Sequence, residues 1–194
     1  MNDISNPDTQ LLTRIEPILG VCLLAIAFII YLNRHRIRHS WLHFRTRYCL
    51  DSLGLEQLTN VQCPDGLGHY FNIERTLLRH DGITLVVYKK YSGKIFCSEH
   101  IDEWIQMVGL KSYPFKNPLF DLNHQVKAIS ACIEEIPVNG YLFFDQTTQF
   151  PMGHPEQVMS PENIPAELQR KNRHAVEPKV MRAWKTLQQK VVTQ

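Results

Sequence analysis

Glu74 and Lys89 are the two residues whose types and spacing could do chemistry together. The stretch from Arg75 to Lys94, RTLLRHDGITLVVYKKYSGK, reads as two short strands around a turn. Glu74 stands just before it, and Lys89 lies near the end of the second strand. Side chains on a strand alternate between faces, so Leu85, Val87 and Lys89 share one face. Glu74, on the preceding strand, can approach that face. A Mg²⁺-dependent phosphodiesterase needs at least two anionic ligands for the ion and a lysine to stabilise charge or orient water. Here there is one carboxylate and the lysine. A lone carboxylate binds Mg²⁺ weakly, so the expected outcome is a Glu74–Lys89 ion pair beside a core Val87.

Other chemistry has less support. His69, His80, His100, His124 and His154 are scattered, without a ligand spacing such as HxxxH. His69 and His124 are the two that could join Glu74 in space. Cys22, Cys49, Cys63, Cys97 and Cys132 form no CxxC pair. That suits a reducing compartment and argues against a zinc site or a disulfide framework. The chain has no GxxxxGK[ST], GxGxxG or GxSxG sequence, so nucleotide hydrolysis, dinucleotide chemistry and esterase chemistry lack support. Tyr70, Phe71, Trp104, Tyr113 and Phe115 could stack on bases, but without basic neighbours the expectation is core packing.

The elements that must position Glu74 and Lys89 follow from the pattern. Residues 41–53 read as a helix stopped by Gly54. Residues 69–78 alternate as a strand, and His80-Asp81-Gly82 closes a hairpin. ITLVVY, residues 83–88, has the makings of a central strand. Strands are expected over 94–98 and 101–108, then a loop over 111–116. Asn117-Pro118 reads as N-cap and first helical residue. Leu119, Leu122, Val126, Ile129 and Ile133 make the apolar stripe of that helix. GYLFFD, residues 140–145, is a buried strand, and a short strand follows at 157–159. Helices are expected over 161–170 and about 176–192, the last amphipathic, with Lys179, Arg182, Lys185 and Lys190 on its polar face. The fold class expected is α/β, a mixed central sheet flanked by helices.

Ahead of this domain, Pro17 to Leu32 is sixteen residues without a charge. Arg34, Arg36, Arg38, Arg45 and Arg47 follow with no acid among them. This predicts one transmembrane helix over 15–33, N-terminus out, with the domain on the cytoplasmic side of the inner membrane. The division expected is an extracytoplasmic tail at 1–14, the anchor at 15–33, a basic lipid-facing segment at 34–47, the α/β domain at 48–170 and a basic C-terminal helix at 171–194. Residues 48–164 carry eight Lys/Arg against fourteen Asp/Glu. An acidic core repels phosphate backbones, so nucleic-acid binding would need a local basic patch or the basic ends.

One pattern ties these pieces together. Ile73-Glu74, Asp81-Gly82-Ile83, Val87-Tyr88-Lys89, Gly93-Lys94-Ile95, Trp104, Asn117-Pro118-Leu119 and Gln125, in that order, resemble the nuclease-related domain (NERD) family. The resemblance spans about residues 45–170 and implies a fold similar to restriction endonucleases. It places Glu74 where the family carries an Asp on its first strand, and Lys89 at the lysine of a central E-x-K. Gln125 matches a glutamine near the site, and Glu56 loosely matches an acid on an N-terminal helix. Val87 stands at the glutamate of E-x-K and cannot ligate a metal. Two readings follow from the resemblance. One is a degenerate nuclease, with Glu74, Lys89 and Gln125 a vestigial site and Glu74 its remaining metal ligand. Its role would be to bind nucleic acid, or a protein partner through the C-terminal helix, at the membrane, with no cofactor. The other is an active nuclease using Mg²⁺ through a relocated acid: Glu56, Glu99, Asp102 or Glu103. A third reading, from a different class, is a structural subunit of a membrane complex.

Overall fold

Ile83–Lys89 (β3) is buried from its first residue through Val87, and such a strand must be covered on both faces. It lies between Tyr70–Leu78 (β2), antiparallel to it, and Val138–Phe144 (β7), parallel to it. Glu56–Pro64 (β1) pairs with β2 and with Val192–Thr193 (β10), and Val158–Met159 (β9) pairs with β7. The six-stranded order is β10-β1-β2-β3-β7-β9. A second sheet holds Gly93–Phe96 (β4), Glu103–Val108 (β5), Lys111–Lys116 (β6) and Thr148–Gln149 (β8), in the order β6-β5-β4-β8. The helices are Pro7–Asp51 (α1), Pro118–Cys132 (α2) and Pro178–Lys190 (α3). This computed structural model describes residues 7–64, 70–133, 136–169 and 174–193, without the side chains of 7–23, His35, His39, Val192 and Thr193. Residues 65–69, with His69 among them, and the first residues of the expected tail lie outside that set.

The alternation of β3 sorts two cores onto the two faces of the first sheet. Leu85, Val87, Leu142 and Phe144 pack with Leu119, Leu122 and Ile129 of α2 and with Val180, Trp184 and Leu187 of α3. Val86 and Phe143 pack on the other face with Leu50 and Leu53, at and just beyond the end of α1. Gly140 lets α2 come close, because a Cβ there would sit 2.7 Å from a methyl of Val126. The apolar stripe of α3 is spent in this core, so only its exposed basic face is left for a partner.

The single mixed sheet expected from sequence is instead two sheets. Gly93, at φ +87°, starts β4 where a Cβ would meet the Met107 carbonyl at 2.4 Å. The chain thereby leaves the first sheet and pairs β4 with β5. Within β5 only Trp104 is fully inward, stacked with Phe144 and edge-on to Phe115. Residues 111–116, expected as a loop, form edge strand β6, in which Pro114 is tolerated because one side of the ladder is open. The helix expected over 161–170 is only the 3-10 turn Ala166–Leu168.

The transmembrane helix expected over 15–33 is overturned: among the described residues no helix is long and apolar enough to cross a membrane. Sixteen uncharged residues give about 24 Å of helix against about 30 Å of hydrocarbon, and α1 runs straight on into Arg34, Arg36 and Arg38. The inner-membrane placement, N-terminus out, falls with it. The chain divides into two compact units, residues 1–41 and 42–194. In the first, the Arg34 guanidinium lies over the Tyr31 ring at 4.8 Å.

In the second unit, the end of α1 is fastened by Arg75. One guanidinium nitrogen reaches the Leu50 carbonyl at 3.3 Å, the Asp51 carboxylate at 2.9 Å and the Gln57 side-chain oxygen at 2.5 Å. A cation there satisfies an orphan carbonyl and opposes the negative end of the helix dipole. Arg75→Ala is expected to cost about 1–2 kcal/mol in urea unfolding, and a loss within error of zero would deny it this role.

Candidate active site

Glu74 and Val87 lie on the neighbouring strands β2 and β3, just past their paired stretch. The two strands pair Thr76 with Leu85, and that register continued by two residues leads to Glu74 and Val87. The paired ladder stops before them, and the Glu74 carboxylate fills the gap by accepting the Tyr88 backbone N–H at 2.7 Å. On its other side the β1–β2 pairing skips Asn60, which has φ +52°. The expected ion pair with Lys89 does not form; Glu74 is held by a peptide group. Lys89 is half-buried at the end of β3, beside Phe144 in register. Gln125, on α2, buries its side-chain oxygen without a hydrogen-bond partner.

These donors do not suit Mg²⁺. The ion prefers an octahedron of oxygens anchored by one or two carboxylates and bound water. On the strand beside Glu74 the chain offers a valine only 9% exposed, and the one carboxylate is already accepting a peptide N–H. Among the described residues no group of three or more His, Cys, Asp or Glu is arranged to hold a metal.

The acids considered for relocation lie elsewhere. Glu56 opens β1, not a helix, and accepts the Trp184 indole N–H at 3.0 Å. Glu99 is exposed and lies 4.0 Å from His100. Asp102 is exposed, and its carbonyl accepts the Asn117 N–H. Glu103 is exposed at the start of β5. Of the histidines, His124 is exposed, His80 sits against His174, and His154 is bound to Asn163. Trp104 is fully buried and Phe71 and Phe115 half-buried, whereas Tyr70 and Tyr113 are exposed.

Sequence reasoning missed one polar centre. Asp145, just past β7 and 1% exposed, accepts the Tyr88 hydroxyl at 3.0 Å and the Thr147 N–H at 2.9 Å, with His43 Nδ1 2.5 Å away. Burial pushes the Asp145 carboxyl up, but the Thr147 amide, the Tyr88 hydroxyl and His43 outweigh it and hold the group below its usual range. Burial, then Asp145, pushes the Tyr88 phenol up. This centre lies behind the face of Val87 and Lys89. Tyr88 joins the two sides, its amide holding Glu74 and its hydroxyl holding Asp145. The only sequence signal was an aspartate closing the apolar run GYLFF.

No curated protein and no solved structure matched the chain. The NERD family model, described as the nuclease-related domain, matches residues 41–145, more than half of the sequence. That span takes in the end of α1, the β1–β3 meander with Glu74 and Lys89, α2 with Gln125, and β7 as far as Asp145. By that match this chain belongs to the nuclease-related domain family.

Proposed function

We propose that this nuclease-related domain acts by binding nucleic acid and does not cleave it through Mg²⁺. The observation that carries the reading is the pairing of Glu74 with the peptide N–H that follows Val87, where a metal site needs a second carboxylate. The fold and Lys89 are kept while the ligand set is not. Nucleic acid is favoured as the bound partner by a local concentration of charge. Lys89, Lys90 and Lys94 fall within one turn and its flanks, in a domain otherwise acidic. A patch of that kind would bind phosphates with strong salt dependence.

The test incubates purified protein with labelled single- and double-stranded DNA and RNA in Mg²⁺ or Mn²⁺. The expected result is salt-dependent binding without cleavage, with binding reduced about tenfold or more by combined Lys89→Ala, Lys90→Ala and Lys94→Ala substitution. Val87→Glu, which restores a carboxylate on the strand beside Glu74, is expected to bring metal-dependent cleavage. Cleavage by the unaltered protein that Lys89→Ala abolishes would sink the proposal.

A further inference from the structure

The second sheet turns one face inward and one outward. Ile95 and Trp104 are fully buried, and Phe115, edge-on to Trp104, closes the inner face. Side chains alternate along a strand, so Lys94, Phe96, Ile105, Met107 and Pro114 lie on the outer face. The register sets them in rows. Phe96 stands beside Ile105, and Ile105 beside Pro114. Lys94 stands beside Met107 on one side and Gln149 of β8 on the other. Ile105 is 43% exposed, Lys94 and Pro114 are exposed, and Phe96 and Met107 are half-buried. Among the described residues, Phe96, Ile105 and Met107 join neither core. Apolar side chains left in water singly are ordinary, but a contiguous group of them marks a binding surface.

We propose that this outer face is a platform for single-stranded nucleic acid, with a base stacked on Phe96 against Ile105 and Met107 and the adjoining phosphate held by Lys94. Residues two apart on one face of a strand are about 7 Å apart, so Lys94 and Phe96 meet neighbouring parts of one nucleic-acid strand. Every base has a π-face that stacks on an aromatic ring whatever its sequence. A duplex keeps those faces between its own base pairs and offers phosphates and groove edges instead. Lysines alone bind either form. An apolar platform beside them selects the separated strand.

Charge favours a polyanion as the occupant. Lys94 stands on the platform, with Lys89 and Lys90 on the chain leading into it. The acid of this face, Glu103, lies at its far end, in register with Lys116, and Lys116 is itself 3.0 Å from Asp121. Lys94 therefore sits at the end of the face away from the acids. The platform continues the lysine patch, and so it rests on the nucleic-acid reading given above.

The test measures binding of the full-length protein, without divalent metal, to a labelled DNA strand, alone and annealed to its complement, over a range of salt. The single strand is expected to bind about tenfold tighter than the duplex. Phe96→Ala is expected to weaken strand binding about tenfold and leave its salt slope unchanged, whereas Lys94→Ala is expected to lower that slope by about 0.7. Ile105→Glu puts a negative charge on the platform at an exposed position, with an expected loss of about tenfold, and it decides the matter if Phe96→Ala does not fold. Equal affinity for strand and duplex would overturn the platform and leave the nucleic-acid reading standing on the lysines. So would unaltered affinity in both platform variants. No binding of either form would overturn both. Self-association that Ile105→Glu abolishes would assign the face to a second copy of the chain and overturn the platform as well.

Discussion

Asn117→Ala is expected to lower the unfolding free energy by about 3 kcal/mol. Asn117 is fully buried between β6 and α2. Its side-chain oxygen accepts the Leu119 N–H at 2.9 Å and caps α2. Its side-chain nitrogen faces the carbonyls of Ile101 at 2.8 Å, Glu99 at 3.2 Å and Ser98 at 3.3 Å. The Trp104 indole also donates to the Ser98 carbonyl. One side chain therefore starts a helix and shapes the loop that delivers Trp104 to the core. Loss of the cap alone is worth about 1 kcal/mol, and each buried polar group left unpaired adds about 1–3 kcal/mol unless water reaches it. Asn117→Asp keeps the acceptor but points a carboxylate at three carbonyl oxygens, so it should rescue little. Urea unfolding of the two variants checks this, and an Asn117→Ala loss under about 1 kcal/mol would show that water replaces the amide.

The same residue shows what the sequence could and could not disclose. Asn117-Pro118 announced the start of α2, since a capping side chain followed by proline at N1 is a local signal. The buried strands β3 and β7 and the amphipathic α3 were readable for the same reason, as periodicity is written in neighbouring residues. β1 was not readable, because only Val61 and Cys63 of its nine residues are buried and its partners supply the rest of the order. β6 was hidden by Pro114, and the split into two sheets by a close approach at Gly93 that no local pattern encodes. The apolar run in α1 carried a local signal too, but it stops short of a membrane's thickness on a helix that continues through arginines. At the site, strand alternation set Val87 and Lys89 on one face within reach of Glu74, and only the family resemblance added Gln125. That Glu74 would bond to a peptide N–H and not to Lys89 depends on where the β2–β3 ladder ends, which is a property of the whole sheet.

Asp145→Asn is expected to destabilise the domain by about 2–4 kcal/mol near neutral pH and by much less in acid. The carboxylate gathers Tyr88, Thr147 and His43 from three parts of the chain, so neutralising it weakens several contacts at once. The pH dependence has a definite sign. The folded state holds the Asp145 pKa below its ordinary 3.8, so the folded state binds the proton less well than the unfolded state does. Its contribution is complete above the unfolded value and disappears as pH falls through the folded value. The gap between unaltered protein and variant should therefore be widest well above the ordinary 3.8 and close only as pH falls through the lowered folded value. A gap that grows in acid would show that Asp145 is held protonated. A second readout separates this centre from general packing. Because Tyr88 grips Asp145 with its hydroxyl and Glu74 with its amide, loosening the first contact frees the strand that makes the second. Hydrogen exchange of the Tyr88 amide should accelerate in Asp145→Asn more than that of Leu85 in the middle of β3. Equal acceleration along the whole strand would mean that the polar centre stabilises the sheet without positioning the face that carries Glu74 and Lys89.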